Sequence, residues 1–195
     1  MLCINDHVAE MSDSQVAALI QLLPAWRRDA ALRFRYEQGR RESVVGYVEL
    51  LRGLRLMFGV NETPDFCYGE HGKPFLADYP DIHFSISHCR EAVGCLVSDR
   101  PCGLDIERIR SVSDELMHHT MNAEEVRQIT SSSFPALTFT HLWTCKEAVL
   151  KLRGTGLIDD LHHVLDADRV RDIELRTVEN VFRGYVVTTA RLLRA

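Results

Sequence analysis

Several patterns are missing from this 195-residue sequence, and each absence disfavours a class of protein. No apolar run approaches the roughly 20 residues that a helix needs to span a bilayer, and the first residues do not form a signal peptide, so we expect a cytoplasmic protein. The six cysteines are scattered without a CxxC pair, which indicates free thiols rather than a zinc site or a disulfide framework. There is no glycine-rich Walker loop, which disfavours a nucleoside triphosphate substrate.

The chain as a whole also lacks an excess of positive charge. The formal net charge of -5 argues against general nucleic-acid binding. Arginines nevertheless gather in one segment, at Arg27, Arg28, Arg33, Arg35, Arg40 and Arg41. That segment is either a solvated helix face or a patch for phosphates or an acidic partner. The share of hydrophobic residues, 46%, is typical of a globular protein with one domain or two small ones.

Hydrophobic periodicity predicts a chain that mixes helices and strands. Apolar spacing of the helical kind predicts helices over residues 12–22, 40–58, 113–129 and 137–153, with a break near Asn122. Alternating or short apolar runs predict strands over residues 82–88, 92–98, 102–107, 173–175 and 182–190. We expect the strands at 92–98 and 102–107 to pair as a hairpin, and residues 65–80 to form a loop.

The most informative segment is Trp143-Thr144-Cys145-Lys146-Glu147-Ala148-Val149-Leu150-Lys151. Residues four apart share one face of a helix, so Glu147 and Lys151 should point the same way, with Trp143 one turn before them. A carboxylate that can hold a metal beside an amine that can hold a phosphate suits a metal-bound pyrophosphate. The alternative is an ordinary glutamate–lysine pair on the surface.

The segment Gly103-Leu104-Asp105-Ile106-Glu107 adds two further carboxylates. On a strand, Asp105 and Glu107 share one face. Two carboxylates that point together repel each other unless a cation lies between them, and oxygen-only ligands suit magnesium. With Glu147, a strand and a helix would supply three carboxylates for one ion. The alternative is a solvated strand edge.

Two shorter motifs offer groups that bind phosphate. In Ser85-Ile86-Ser87-His88, neighbouring side chains on a strand point to opposite faces, which disfavours a nucleophile–base pair. Hydrogen bonding and charge pairing to a phosphate suit this motif better, and a structural Ser-His turn is the alternative. Gly72-Lys73-Pro74 presents Lys73 on a constrained loop, where it binds phosphate or is an ordinary surface lysine.

These sequence motifs together resemble, in order and spacing, those of the Sfp-type 4'-phosphopantetheinyl transferases, most closely between about residues 68 and 157. The resemblance implies an α+β fold made of two similar α/β halves in one chain, a pseudo-dimer with the active site in the cleft between the halves. The halves would be residues 1–102 and 103–195. It also implies a monomeric enzyme that moves the phosphopantetheine arm of coenzyme A onto a serine of an acyl or peptidyl carrier protein.

The resemblance further implies a role for each motif. Three carboxylates would hold magnesium on the coenzyme A pyrophosphate: Asp105, Glu107 and Glu147. Lys151 would contact the pyrophosphate, and Glu147, directly or through a water, would accept the serine proton. Five side chains would hold the nucleotide end and its 3'-phosphate: Lys73, Ser87, His88, Arg28 and Arg41.

Two other functions remain open at this stage. One is a non-catalytic module with the same fold that binds coenzyme A or a carrier protein. The other is a different magnesium-dependent phosphotransferase that shares these strings. Neither nucleic acid nor a membrane is expected as a partner. The sequence does not distinguish carriers of fatty-acid, polyketide or peptide synthesis.

Overall fold

A computed structural model describes residues 1–156 and 160–193 of the chain. The helices are α1 (Asp13–Leu22), α2 (Ala25–Leu32), α3 (Glu37–Phe58), α4 (Asp114–Thr120), α5 (Ala123–Ser131), α6 (Pro135–Arg153) and α7 (Ala167–Val170). The strands are β1 (Leu2–Asn5), β2 (Phe66–Tyr68), β3 (Pro74–Leu76), β4 (His83–His88), β5 (Val93–Ser98), β6 (Cys102–Arg108), β7 (Ile173–Asn180) and β8 (Tyr185–Leu192). These helices and strands make a mixed α+β fold. Within the described ranges, no helix is long and apolar enough to cross a membrane.

The first sheet has the antiparallel order β1-β5-β4, and the long helix α3 packs against it. The helix places apolar residues such as Tyr47 and Leu50 at helical spacing, and both are fully buried against the sheet's Phe84 and Val97. Gly59 ends the helix in the left-handed conformation, with φ 70°, as a C-terminal glycine should. The predicted helix is confirmed, and it begins three residues earlier, at Glu37.

The second sheet has the antiparallel order β6-β8-β7, and α6 lies across it. The helix and β6 approach closely at Gly103, where a Cβ atom would lie 2.0 Å from the backbone oxygen of Ala148. Only glycine therefore allows this contact. The close approach brings the carboxylates of β6 beside the face of α6 that carries Glu147 and Lys151.

The predicted hairpin between residues 92–98 and 102–107 is wrong. β6 pairs with β8, with Asp105 opposite Thr188. The reason is that β5 lies between β1 and β4, so both of its edges are already paired. The turn after Ser98 instead carries the chain from one sheet to the next.

Other differences are local. Residues 65–80 contain the small hairpin of β2 and β3 rather than loop alone, and α2 forms in the arginine-rich segment. The predicted helix over 113–129 is two helices, because Asn122 caps α5 with a reciprocal bond to Glu125.

Two serine side chains of β4 join the two sheets. Ser85 Oγ accepts the amide N–H of Leu104 at 3.0 Å, and Ser87 Oγ accepts that of Ile106 at 3.1 Å. All strands of the first sheet precede residue 102, and all strands of the second begin there or later. These bonds set β6, with its carboxylates, against the first sheet.

Candidate active site

Three carboxylates converge where β6 meets α6. Asp105 is only 3% exposed, and Glu107 and Glu147 are partly buried. Burial raises the pKa of Glu107, and the charge of Asp105 raises it further, against the hydrogen bond from Trp143. Burial and then Asp105 likewise raise the pKa of Glu147, with Lys151 opposing them. Glu107 and Glu147 therefore both lie close enough to Asp105 for its charge to raise their pKa values.

Lys151 supplies the positive charge at Asp105. Its Nζ lies 2.6 Å from Asp105 Oδ1 and 2.9 Å from Ser87 Oγ. The other carboxylate oxygen, Asp105 Oδ2, is buried and has no hydrogen-bond partner among the described residues. A buried oxygen of this kind is costly unless a donor or a cation reaches it.

The predicted magnesium ligands are therefore neighbours, but they do not form a ready metal site. Among residues 1–156 and 160–193, no three His, Cys, Asp or Glu side chains are arranged to hold a metal ion together. The chemistry of the donors suits magnesium, since all three are carboxylates and Asp105 Oδ2 has no partner in the part of the chain that the structure describes.

A cavity of about 310 Å³ opens beside one of these carboxylates, that of Glu147. One side is lined by residues 71–73 of the turn between β2 and β3, by Pro74 at the start of β3 and by residues 84–86 of β4. Glu147 and Lys151 of α6 line the other, which confirms that they share one face of the helix. The cavity is thus a space that a ligand can enter, with a carboxylate and an amine on its wall.

The structure gives Lys73 partners that the sequence did not indicate. Its Nζ donates to the backbone oxygens of Leu152, at 2.8 Å, and Cys102, at 3.1 Å. Burial lowers its pKa. Lys73 therefore ties its loop to the last turn of α6 and the start of β6, while it lines the cavity. Its contact with a nucleotide stays a prediction.

Ser87 and His88 also have internal partners. Ser87 is buried at 5% exposure and bonds to Asp105, while His88 is half exposed. His88 Nδ1 lies 3.0 Å from the carboxylate of Glu42 on α3. Burial alone would raise the pKa of Glu42, but the hydrogen bonds from His88 and Gln38 lower it below its ordinary value. His88 is thus held at the edge of the first sheet.

The two arginines predicted at the nucleotide end lie around α1. Arg28 donates to the backbone oxygens of Gln21 and Leu23. Arg41 pairs with Asp13 at 3.1 Å and lines a separate cavity beside α1. Neither is among the described residues that line the cavity at Glu147.

Sequence reasoning assigned no role to Lys146, which the structure buries completely. Its Nζ donates to Glu125 Oε2 at 2.7 Å and to the backbone oxygens of Thr120 and Leu161, each at 2.9 Å. The sequence did carry a sign that Lys146 is buried. Val149 and Leu150, three and four positions later, are apolar and lie on the same helix face. Lys146 therefore anchors α6 to its neighbours and faces away from the cavity.

Trp143 also has a defined contact. Its indole Nε1 donates to Glu107 Oε1 at 3.3 Å, and its ring stacks on Phe139. The hydrogen bond counteracts part of the rise in the pKa of Glu107. Trp143 thus packs on α6 and also orients one carboxylate of the cluster.

Comparison with known proteins points to one family. A family model described as the 4'-phosphopantetheinyl transferase superfamily matches residues 101–190. The chain is 27% identical to 4'-phosphopantetheinyl transferase Sfp of Bacillus subtilis over 85% of this chain and 76% of that protein. It is 31% identical to 4'-phosphopantetheinyl transferase AcpT of Salmonella typhimurium over 71% of this chain and 73% of that protein. It is 32% identical to 4'-phosphopantetheinyl transferase psf-1 of Bacillus pumilus over 73% of this chain and 63% of that protein.

Proposed function

This chain belongs to the 4'-phosphopantetheinyl transferase superfamily, and from that premise we propose that it transfers the 4'-phosphopantetheine group of coenzyme A to a serine of an acyl or peptidyl carrier protein. The observation that carries the proposal is the cluster of Asp105, Glu107, Glu147 and Lys151, of which Glu147 and Lys151 line one cavity. Phosphoryl transfer needs charge neutralisation and positioning more than covalent help from the protein, and this cluster offers both.

Magnesium is the cofactor that suits this cluster. Asp105, Glu107 and Glu147 would hold it, and the buried Oδ2 of Asp105 has no other partner in the described structure. When bound, magnesium would neutralise the charge of the coenzyme A pyrophosphate. The raised pKa values of Glu107 and Glu147 support the assignment, because crowded carboxylates gain most from a cation.

Glu147 is the proposed base. The serine oxygen of the carrier forms a new bond to the phosphorus of the phosphopantetheine group, and the bond from that phosphorus to the nucleotide phosphate breaks. The serine proton goes to Glu147, directly or through a water, and adenosine 3',5'-bisphosphate leaves. Glu147 lines the cavity, so its carboxylate is open to a carrier serine that enters there.

The remaining assignments are proposals of the same kind. Lys151 would turn from Asp105 to the pyrophosphate, which its 33% exposed side chain makes feasible. Lys73, Ser87 and His88 would contact the nucleotide end. We also propose that residues 1–102 and 103–195 are two similar halves, and that the protein acts as a monomer in the cytoplasm.

The test is transfer itself. The purified chain is incubated with coenzyme A, magnesium and a panel of carrier proteins, and mass spectrometry measures the gain of one phosphopantetheine group per carrier. We expect transfer by the wild type and a loss of at least about 100-fold in Glu147→Ala, with the circular dichroism spectrum unchanged. Binding of coenzyme A in calorimetry without transfer to any carrier would indicate a non-catalytic module instead.

A further inference from the structure

A buried carboxylate lies behind His88. It belongs to Glu42 of α3, which is only 8% exposed. Glu42 Oε2 lies 3.0 Å from His88 Nδ1, and Glu42 Oε1 accepts from Gln38 Nε2 at 2.6 Å. Burial raises the pKa of Glu42, but the hydrogen bonds from His88 and Gln38 lower it further, so it ends below its ordinary value. Glu42 therefore faces His88 as a charged carboxylate.

This contact gives the two ring nitrogens of His88 different tasks. An ionised carboxylate only accepts hydrogen bonds, so Nδ1 must carry a proton and donate it to Glu42. The bond fixes the orientation of the ring. Nε2 has no partner among the described hydrogen bonds and ion pairs, and the side chain is 49% exposed. A ligand can therefore reach the ring without displacing Glu42.

The same contact prepares the ring for an anion. A phosphate oxygen accepts hydrogen bonds, so His88 binds it by donating from Nε2 while Nδ1 still donates to Glu42. A ring that donates from both nitrogens is the charged imidazolium. Two anions, Glu42 and the phosphate, then stabilise that one charge. With an amide in place of the carboxylate, the ring is held less firmly and its Nε2 can accept instead of donate.

We infer that Glu42 is a positioning residue that sets the preference for coenzyme A with its 3'-phosphate, because it holds His88 ready to donate from Nε2. The inference rests on the proposed function, in which His88 contacts the nucleotide end. A carboxylate that acted on the phosphate directly would repel it. The two roles therefore predict opposite effects when the charge of Glu42 is removed.

Glu49 provides a matched control on the same helix. It lies seven positions, or about two turns, after Glu42 and is likewise buried, at 5% exposure. Its described ion pair is with Arg52 of α3, at 3.3 Å, and not with His88. Glu49→Gln therefore removes a buried negative charge from α3 without touching the ring of His88.

The experiment compares coenzyme A with dephospho-coenzyme A, which lacks only the 3'-phosphate. Calorimetry measures both affinities, in magnesium and without a carrier, for wild type, Glu42→Gln, His88→Ala, the double variant and Glu49→Gln. We expect Glu42→Gln to lower the preference for coenzyme A by about tenfold, the typical value of a hydrogen bond to a charged group. In transfer assays KM for coenzyme A should rise by a similar factor, with kcat at saturation within about twofold of wild type.

The double variant tests whether Glu42 acts through His88. His88→Ala should lower the same preference, and adding Glu42→Gln to it should cause no further loss. Glu49→Gln should keep the preference within about twofold of wild type. If Glu42→Gln does not fold, Glu42→Asp withdraws the carboxylate by one methylene group and is judged by the same ratio of affinities.

Three results would overturn the inference. One is a stronger preference for coenzyme A in Glu42→Gln, which would show direct repulsion of the phosphate by Glu42. Another is an equal loss in Glu42→Gln and Glu49→Gln, which would reduce Glu42 to a buried charge of α3. The third is a wild type that binds both compounds equally. A wild type that binds coenzyme A but transfers nothing would refute the proposed function, and the ratio of the two affinities would still judge Glu42.

Discussion

The buried ion pair between Lys146 and Glu125 offers the sharpest test of how α6 is held. The side chain of Lys146 is 0% exposed and that of Glu125 is 9% exposed. Lys146→Met keeps most of the side-chain volume but removes three hydrogen bonds. The carboxylate of Glu125 then stays buried with the amide of Asn122 as its remaining described donor, at 2.8 Å.

The expected loss follows from leaving a buried charge without its partner. Such changes cost about 3–5 kcal/mol, a large share of the roughly 5–15 kcal/mol that stabilises most proteins. In a chain of this size, each kcal/mol shifts Tm by about 2–4 °C, so Tm should fall by about 6–20 °C. Denaturant unfolding followed by circular dichroism measures the free energy, and a thermal scan measures Tm.

Two further variants show whether the buried charge is the cause. In Lys146→Met with Glu125→Gln, the uncompensated charge is gone while an amide oxygen still caps α5. This double variant should recover at least about 1 kcal/mol relative to Lys146→Met alone. Arg127→Met breaks an exposed pair with Glu124 on the same helix and should cost less than about 1 kcal/mol. A loss below about 1 kcal/mol in Lys146→Met, or no recovery in the double variant, would refute the reasoning.

Three other predictions concern the carboxylates and the packing beneath them. Because the pKa values of Glu107 and Glu147 are raised in the protein without metal, unliganded wild type should lose stability as pH rises above about 4.5, since the folded state then binds more protons than the unfolded state. Glu147→Gln should flatten this slope in pH-dependent denaturation. Trp143→Phe removes the hydrogen bond that lowers the pKa of Glu107, so the unliganded variant should lose stability more steeply than wild type as pH rises above about 4.5; an unchanged slope in pH-dependent denaturation would contradict a role for that bond. Gly103→Ala would place a Cβ 2.0 Å from a backbone oxygen of α6 and should destabilise by more than about 3 kcal/mol in denaturant unfolding, whereas Gly59→Ala, with open space around its Cβ, should cost less.

The elements that the sequence predicted correctly are those with local signals. Ser12 and Gln15 form the capping box that begins α1, and Gly154 ends α6 in the left-handed conformation. The pairing of β6 was wrong, because strand partners depend on which edges other segments have already filled. The short strands β1 and β2 were missed, since three or four residues carry too little periodicity to stand out.

The sequence by itself identified the charged residues of the candidate site. Strand alternation placed Asp105 and Glu107 on one face, helical spacing placed Glu147 and Lys151 on another, and both rules depend only on backbone geometry. Tertiary structure decided the partners of each group. It set Lys151 on Asp105, gave the hydroxyl of Ser87 to the same carboxylate, and buried Lys146 against Glu125. Those contacts join residues 18 to 46 positions apart, so packing alone brings them together.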